Sequence, residues 1–199
     1  MKKYILAITG ASSAVIGIRV LKELLRTSEV HVLISSQAFS IIRDETGIDW
    51  SGKNENEIQK KLRKYFKEKN IYYYSENNLY APVSSGSFVT NGMFVVPCSM
   101  KTLSGIANGY TNSLIERAAD VIIKESRPLV ISPREMPFSA IHLENMLKLS
   151  RLGVKIVPPV LGFYHNPKDI NELVDFIAGK ILDAMGIEHN IFKRWGSKA

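Results

Sequence analysis

The residues best suited to chemistry lie between Met93 and Pro137. An apolar run, Met93-Phe94-Val95-Val96, ends in Pro97-Cys98 and passes into Ser99-Met100-Lys101-Thr102, where a helical pattern begins. A strand that delivers a polar turn to a helix N-terminus leaves free backbone N–H groups and the positive end of the helix dipole facing an anion. A dense charged segment follows, Glu116-Arg117-Ala118-Ala119-Asp120 and then Lys124-Glu125. Beyond it, Arg127-Pro128-Leu129-Val130-Ile131-Ser132-Pro133-Arg134-Glu135 reads as a second strand ending in an Arg-Glu pair. Hydroxyls, cations and a carboxylate at two strand ends predict a phosphate-rich site rather than a plain core.

The first turn points the same way. Thr9-Gly10-Ala11-Ser12-Ser13-Ala14 joins an apolar run to an amphipathic one. Gly10 allows a tight turn, and Ser12 with the N–H groups after it can hold a phosphate. The blander reading, an ordinary serine N-cap, has equal weight at this point. The motif is not G-x-G-x-x-G, so a dinucleotide fingerprint is absent. Gly17, one turn into the helix, either permits close approach to a sheet or has no special role.

The elements that must position these residues alternate. Strands are expected at Tyr4 to Thr9, Val30 to Ile34, Ile71 to Tyr74, Met93 to Val96, Leu129 to Ser132 and Val154 to Val157. Helices are expected at Ala14 to Arg26, from a Ser35-Ser36 cap to Glu45, and around Ile58, Leu62 and Phe66. Others follow the polar turn after Cys98 and close near Gly109, and run from Leu114 to Glu125 and from Ala140 to Leu152 with Gly153 as stop. A last helix starts at the Asp169-x-x-Glu172 capping pattern and ends at Gly186. Asn77 to Phe88 is polar and reads as loop. Near-continuous apolar strands between helices predict an α/β fold with a doubly wound parallel sheet, whose ligands sit beyond the carboxyl ends of the strands.

Composition bounds the rest. The chain has 199 residues, 45% of them hydrophobic, enough for one sizeable α/β domain spanning 1–199. Its single cysteine excludes a disulfide framework and points to a reducing, cytoplasmic compartment. Met1-Lys2-Lys3 and the short apolar run after it do not make a signal peptide, because Thr9-Gly10 ends that run. No apolar segment is long enough to span a bilayer, so no membrane is expected. The net charge of +7 suits an anionic ligand. Nucleic acid is disfavoured: the densest basic cluster, Lys60-Lys61-Leu62-Arg63-Lys64, is diluted by Glu55, Glu57 and Glu68 and reads as a solvated helix face.

These motifs, taken in order, carry a resemblance. Thr9-Gly10-Ala11-Ser12, Ser84-Ser85-Gly86-Ser87-Phe88, Pro97 to Leu103, Arg117 to Val121, Lys124-Glu125-Ser126-Arg127-Pro128-Leu129, Pro133-Arg134-Glu135 and Ile141 to Leu147 together resemble the UbiX-type flavin prenyltransferases. These belong to the wider flavin-binding, flavodoxin-like decarboxylase superfamily. The likeness extends to Gly162-Phe163-Tyr164 and the terminal Arg194-Trp195. It implies a Rossmann/flavodoxin-like three-layer sandwich. It also implies a transferase joining a dimethylallyl group from dimethylallyl phosphate to N5 and C6 of reduced FMN. The product, prenyl-FMN, would pass to a partner UbiD-type decarboxylase in quinone synthesis or aromatic-acid breakdown. The resemblance implies no metal, and a homododecamer with sites at subunit interfaces.

By the same resemblance, Gly10, Ala11, Ser12, Ser35, Ser99, Met100, Lys101, Thr102 and Arg134 would bind FMN. Arg117, Lys124, Tyr164 and Lys180 would surround the prenyl phosphate. Glu45 and Glu135 would be the carboxylates near the reacting flavin edge, with Ser12 and Lys124 also at the chemistry, and Trp195 would close the site. Fixed cations suit the departure of an allylic phosphate, and preorganised charge of this kind is a large catalytic contribution. Aromatic faces suit the developing allyl cation. Three positions depart from the family pattern. Ser13 stands where glycine is usual, so either it adopts a conformation that glycine finds easier or the turn differs slightly. Ser126 stands in place of a second arginine, and Lys180 replaces an arginine, keeping the charge without the bidentate fork.

Plainer readings stand beside each role. Lys124 and Glu125 would be an exposed helix end, Arg134-Glu135 a surface ion pair, Tyr164 a core aromatic with a wet hydroxyl. His142 reads as a packed, hydrogen-bonded histidine and Cys98 as buried and inert. Two rival functions remain open. A flavin-dependent cysteine decarboxylase of the same superfamily would need a catalytic histidine after the second helix and a Pro-x-Met-Asn-x-x-Met-type segment; Pro133-Arg134-Glu135-Met136-Pro137 occupies that region instead. An FMN-storage protein would have no use for Lys124, Tyr164 and Lys180 beside the flavin.

Overall fold

The computed structural model describes residues 1–196. Six strands form one sheet: β1 (Lys2–Ile8), β2 (Ser28–Ile34), β3 (Ile71–Ser75), β4 (Met93–Cys98), β5 (Leu129–Pro133) and β6 (Lys155–Ile156). Their order is β3-β2-β1-β4-β5-β6. Every pairing is parallel, as the near-continuous apolar strands require. The order reverses between β1 and β4, which places a ligand crevice beyond their carboxyl ends.

Seven helices cover the two faces: α1 (Ala14–Leu24), α2 (Ser36–Thr46), α3 (Glu55–Phe66), α4 (Met100–Ala107), α5 (Leu114–Lys124), α6 (Ala140–Arg151) and α7 (Ile170–Ala184). Alternate strand residues feed separate cores. Tyr4, Leu6 and Ile8 pack with Leu21 of α1, Leu62 of α3 and Ile181 of α7. Ile5 and Ala7 pack with Leu103 of α4, Ile122 of α5 and Leu149 of α6. The result is the expected three-layer α/β sandwich.

Most predicted boundaries lie within two residues of the observed ones. β6 is only two residues long rather than four, and the Asn77–Phe88 segment contains a 3-10 turn at Pro82–Ser84. The Asp169 cap forms as expected, accepting from Glu172 N at 3.0 Å; Glu172 in turn accepts from Lys168 N, not Asp169 N. Gly17 is a close-approach position: a Cβ there would lie 2.2 Å from the carbonyl oxygen of Val96. Its absence lets α1 lie against β4 at the crevice.

Candidate functional site

Three helix N-termini converge on the crevice, and long-range carboxylates close two of them. Ser13, at the N-cap of α1, has φ 76° and ψ 31°, the left-handed conformation its sequence position demands. The Glu45 carboxylate accepts from Ser13 N and Ala14 N, so the N–H groups after Ser12 are already engaged. At α2, Ser36 N donates to Glu76 at 2.7 Å, while the Ser35 side chain makes no cap bond. Of the three, α4 alone has no carboxylate accepting from its first N–H groups among the described residues. Ser99 Oγ accepts from Thr102 N at 3.3 Å, and the N–H groups of Met100 and Lys101 have no partner among the described residues. Thr9 ties the two strand ends together, donating to Pro97 O at 2.9 Å and accepting from Ser99 N at 2.8 Å.

Beside that open terminus is a cleft of about 260 Å³ lined by Gly10, Ser35, Ser99, Lys101 and Thr102. The structure thus gathers five of the residues assigned to FMN. Ala11 and Ser12 sit in the adjoining turn, and the half-buried Met100 packs onto the core beneath. Ser35 Oγ is buried with no hydrogen-bond partner, an arrangement that native interiors rarely leave unexplained. A Cβ on Gly10 would press against Gln37 at 3.0 Å, so a side chain there would have to push Gln37 aside. Gln37, Glu76 and Glu116 also line the cleft, which sequence reasoning missed. Glu76 is held by Ser36 and Glu116 by Ser113 N at 2.9 Å. Nothing local in the sequence marks Glu76, because its partner lies 40 residues away.

A larger cavity, about 560 Å³, opens on the other side of the Gly10–Ser13 turn. Its walls are mostly apolar: Pro133, Met136, Pro137, Phe138, Pro158 and Val160. Ser13, Arg134 and Glu135 are the polar and charged exceptions. Arg134 N donates to Cys98 O, fixing the end of β5 to the end of β4. The plainer alternative, an Arg134–Glu135 surface ion pair, does not form; neither side chain has an ion-pair partner among the described residues. Glu135 accepts only from Met136 N, at 3.1 Å.

The expected prenyl-phosphate residues stand apart from these cavities within one chain. Lys124 ends α5, which runs from the carboxyl edge of the sheet back toward the amino edge, about 15 Å over ten residues. It lines a cleft of about 730 Å³ with Arg117, Arg127 and the Ser84–Ser87 segment. Lys124 pairs with Glu125 at 2.6 Å, and that bond holds the Glu125 carboxyl below its usual pKa. Arg117 donates to Ser84 O, and Arg127 to Gly86 O and Phe88 O. Arg127 therefore shapes this cleft, a role its place before a strand did not reveal. Tyr164 and Trp195 do meet, ring to ring at 5.4 Å and 81°, and line a fourth cavity with Arg194. Tyr164 is half exposed rather than a core residue. Lys180 lies on α7, 3.8 Å from Asp183.

Of two plainer expectations, one holds in full and one in part. Cys98 is fully buried, and burial pushes its thiol well above its ordinary pKa. His142 is hydrogen-bonded, its Nδ1 accepting from Ser139 N at 3.2 Å in a helix-capping box, but it is half-buried rather than packed in the core. Among the described residues no group of three His, Cys, Asp or Glu side chains is placed to hold a metal ion, and no helix is long and apolar enough to cross a membrane.

Comparison with known proteins agrees with this geometry. The profile of the Flavoprotein family matches residues 1–182. The flavin prenyltransferase UbiX of Methanocaldococcus jannaschii is 46% identical over 195 residues, covering 98% of this chain and 99% of that one. A solved structure of AnUbiX in complex with FMN and dimethylallyl pyrophosphate superposes with a TM-score of 0.88 at 40% identity, covering 100% of this chain and 99% of the other. A dodecameric FMN-dependent UbiX-like decarboxylase from Escherichia coli O157:H7 gives a TM-score of 0.87 at 41% identity, covering 98% and 100%. With the open α4 terminus and the paired cavities at the switch point, these similarities show that the chain belongs to the UbiX flavin prenyltransferase family.

Proposed function

We propose that this enzyme transfers the dimethylallyl group of dimethylallyl phosphate to N5 and C6 of reduced FMN, without a metal, and delivers prenyl-FMN to a UbiD-type decarboxylase. The observation that carries this reading is the 560 Å³ cavity, an apolar chamber holding an unpaired Arg134 and Glu135 beside the α1 turn. Apolar walls exclude water from an allyl cation, and the carboxylate can accept a proton where one must be lost.

The residues present fit FMN. Gly10, Ser35, Ser99, Lys101 and Thr102 would hold its phosphate at the free N–H groups of α4, with Ser35 Oγ gaining the partner it lacks. Ala11, Ser12 and Met100 adjoin that cradle, and Arg134 would reach the flavin from β5. Reduced FMN, when bound, supplies the nucleophilic N5 and C6 positions. Glu135 would take the proton released at C6. Glu45, which orders Ser13, would form the acidic wall near Ser12.

Arg117, Lys124 and Lys180 would stabilise the departing phosphate, with Tyr164 and Trp195 as the aromatic side of the donor pocket. One chain does not bring these groups to the flavin cleft, so the complete site is shared between copies. An assembly, a dodecamer in this reading, also accounts for the exposed Ile141, Leu143 and Leu147 of α6 and the exposed Phe163 near the site. The whole chain acts as one flavoprotein domain, and the lone buried Cys98 suits a reducing cytoplasm.

The test is anaerobic incubation with reduced FMN and either dimethylallyl phosphate or the diphosphate, followed by mass spectrometry of the released flavin. A flavin heavier by one prenyl unit is expected. Unmodified FMN with both donors would favour a cysteine decarboxylase or an FMN-storage protein instead. Glu135→Gln should slow product formation while FMN still binds; unchanged turnover would remove Glu135 from its role.

A further inference from the structure

After α7 the chain reverses and runs back along that helix as a strap, residues 187–196. Its docking is built into α7. A Cβ on Gly179 would lie 2.3 Å from the Phe192 ring and 2.7 Å from His189, so only glycine leaves room for the strap there. Phe192 then meets Phe176 at 5.3 Å, and His189 Nε2 bonds Gly179 O at 2.9 Å.

One carboxylate gathers the polar contacts of this strap. Asp183 receives Arg194 in a two-pronged ion pair, Nη2 to Oδ1 at 2.8 Å and Nη1 to Oδ2 at 3.1 Å. His189 Nε2 lies 3.2 Å from Oδ1, with its side chain wholly buried. Lys180 Nζ lies 3.8 Å from Oδ2. Residue 194 is thereby fixed to α7, and residue 195 is the tryptophan that meets Tyr164 edge to face. Tyr164 in turn packs on Phe176 of α7, at 5.5 Å. Such bidentate carboxylate–guanidinium pairs fix orientation as well as position.

We propose that Asp183 is a positioning residue for the prenyl donor: it holds the strap so that Trp195 covers Tyr164, and it orients the Lys180 ammonium. The proposal rests on the donor roles of Tyr164, Lys180 and Trp195 given above. Asp183 touches neither substrate; it acts through the three side chains it gathers. The fork that Lys180 lacks toward a phosphate makes such external orientation matter more, because a lysine ammonium on a flexible stem has no preferred direction of its own.

The test uses the assembled, FMN-loaded protein with Asp183→Asn, Asp183→Glu and Gly179→Ala. Hydrogen exchange is followed across residues 187–196, and steady-state kinetics with dimethylallyl phosphate are compared with FMN affinity. Asp183→Asn should speed exchange in the strap at least tenfold and raise the donor KM about tenfold, with FMN affinity unchanged. Asp183→Glu should recover part of both. Gly179→Ala, which keeps every charge but crowds Phe192, should reproduce both effects. Unchanged exchange in Asp183→Asn would overturn the anchoring role, and faster exchange with an unchanged donor KM would overturn the link to the donor. A parent protein that prenylates FMN with neither donor would count against the proposed function and against this role together, whereas the exchange result judges the anchor alone.

Discussion

The Glu45 carboxylate accepts from Ser13 N at 3.1 and 3.0 Å and from Ala14 N at 3.0 Å, so a side chain near the end of α2 caps the start of α1. The contact lets Ser13 keep a left-handed backbone that serine does not favour. A left-handed non-glycine residue costs about 1–2 kcal/mol. Part of that would be offset in glycine by about 0.4–1 kcal/mol of unfolded-chain entropy. Ser13→Gly should therefore stabilise the fold by about 0.5–1 kcal/mol, read from the denaturant midpoint at constant slope. Glu45→Ala should cost about 1 kcal/mol, as other lost helix caps do. A destabilised Ser13→Gly variant would show that the serine hydroxyl matters more than the backbone.

Gly17 offers a harsher test of packing. A methyl group there would stand 2.2 Å from a backbone carbonyl oxygen in β4, which has no free rotamer to yield. Gly17→Ala should lower stability by about 1–3 kcal/mol despite alanine's better helix propensity. Thermal unfolding that is unchanged or improved would mean that α1 can slide away from the sheet.

Ser35 separates ligand binding from folding. Its hydroxyl is buried without a partner, so removing it takes away no hydrogen bond from the chain itself. Ser35→Ala should leave the ligand-free protein as stable as the parent and weaken FMN binding about tenfold, the loss of one hydrogen bond of about 1.4 kcal/mol. Titration calorimetry gives the affinity. Equal affinity would place the flavin phosphate elsewhere.

His31 gives the fold a pH dependence. It lies in β2, stacked between Tyr72 and Tyr74 at 5.3 and 5.8 Å. Burial lowers its pKa below 6.5, outweighing the hydrogen bond and charge of Glu29; the nearby charge of Lys3 lowers it further. The unfolded chain therefore binds a proton below pH 6.5 that the folded chain refuses. Stability from this group should be intact above that pH and fall as pH drops toward the lowered folded value. His31→Phe should flatten that part of the stability profile, measured by denaturant midpoints across the range. An unaltered slope would assign the dependence to other groups.

Asp183 works in the same sense, but at lower pH. Burial alone would raise its pKa, but the Arg194 bond with the charges of Arg194, His189 and Lys180 pulls it below 3.8. A carboxylate depressed in the fold contributes stability above its unfolded pKa and loses it as pH falls through the folded one. Strap protection should therefore persist through pH 5 and fade only below about pH 4, visible in the tryptophan emission of Trp195. Loss of that signal near neutral pH would point to a different anchor.

What the amino-acid sequence determined by itself was local or periodic. Alternating apolar runs set the order of strands and helices. The cap at Asp169 was legible because donor and acceptor lie three residues apart. The unusual backbone of Ser13 was legible only through the resemblance, because serine stands where that family usually has glycine. Only the tertiary structure could show which helix N-terminus stays open. Glu45 reaches α1 across 32 residues and Glu76 reaches α2 across 40, and no local pattern encodes either contact. The same holds for Gly17, whose meaning depends on a carbonyl in β4, and for Asp183, whose partners lie on a returning strap. Nor could spacing show that Lys124 ends its helix away from the cleft beside α4. That follows from the parallel topology, in which each crossover helix carries its last residues back toward the amino edge of the sheet.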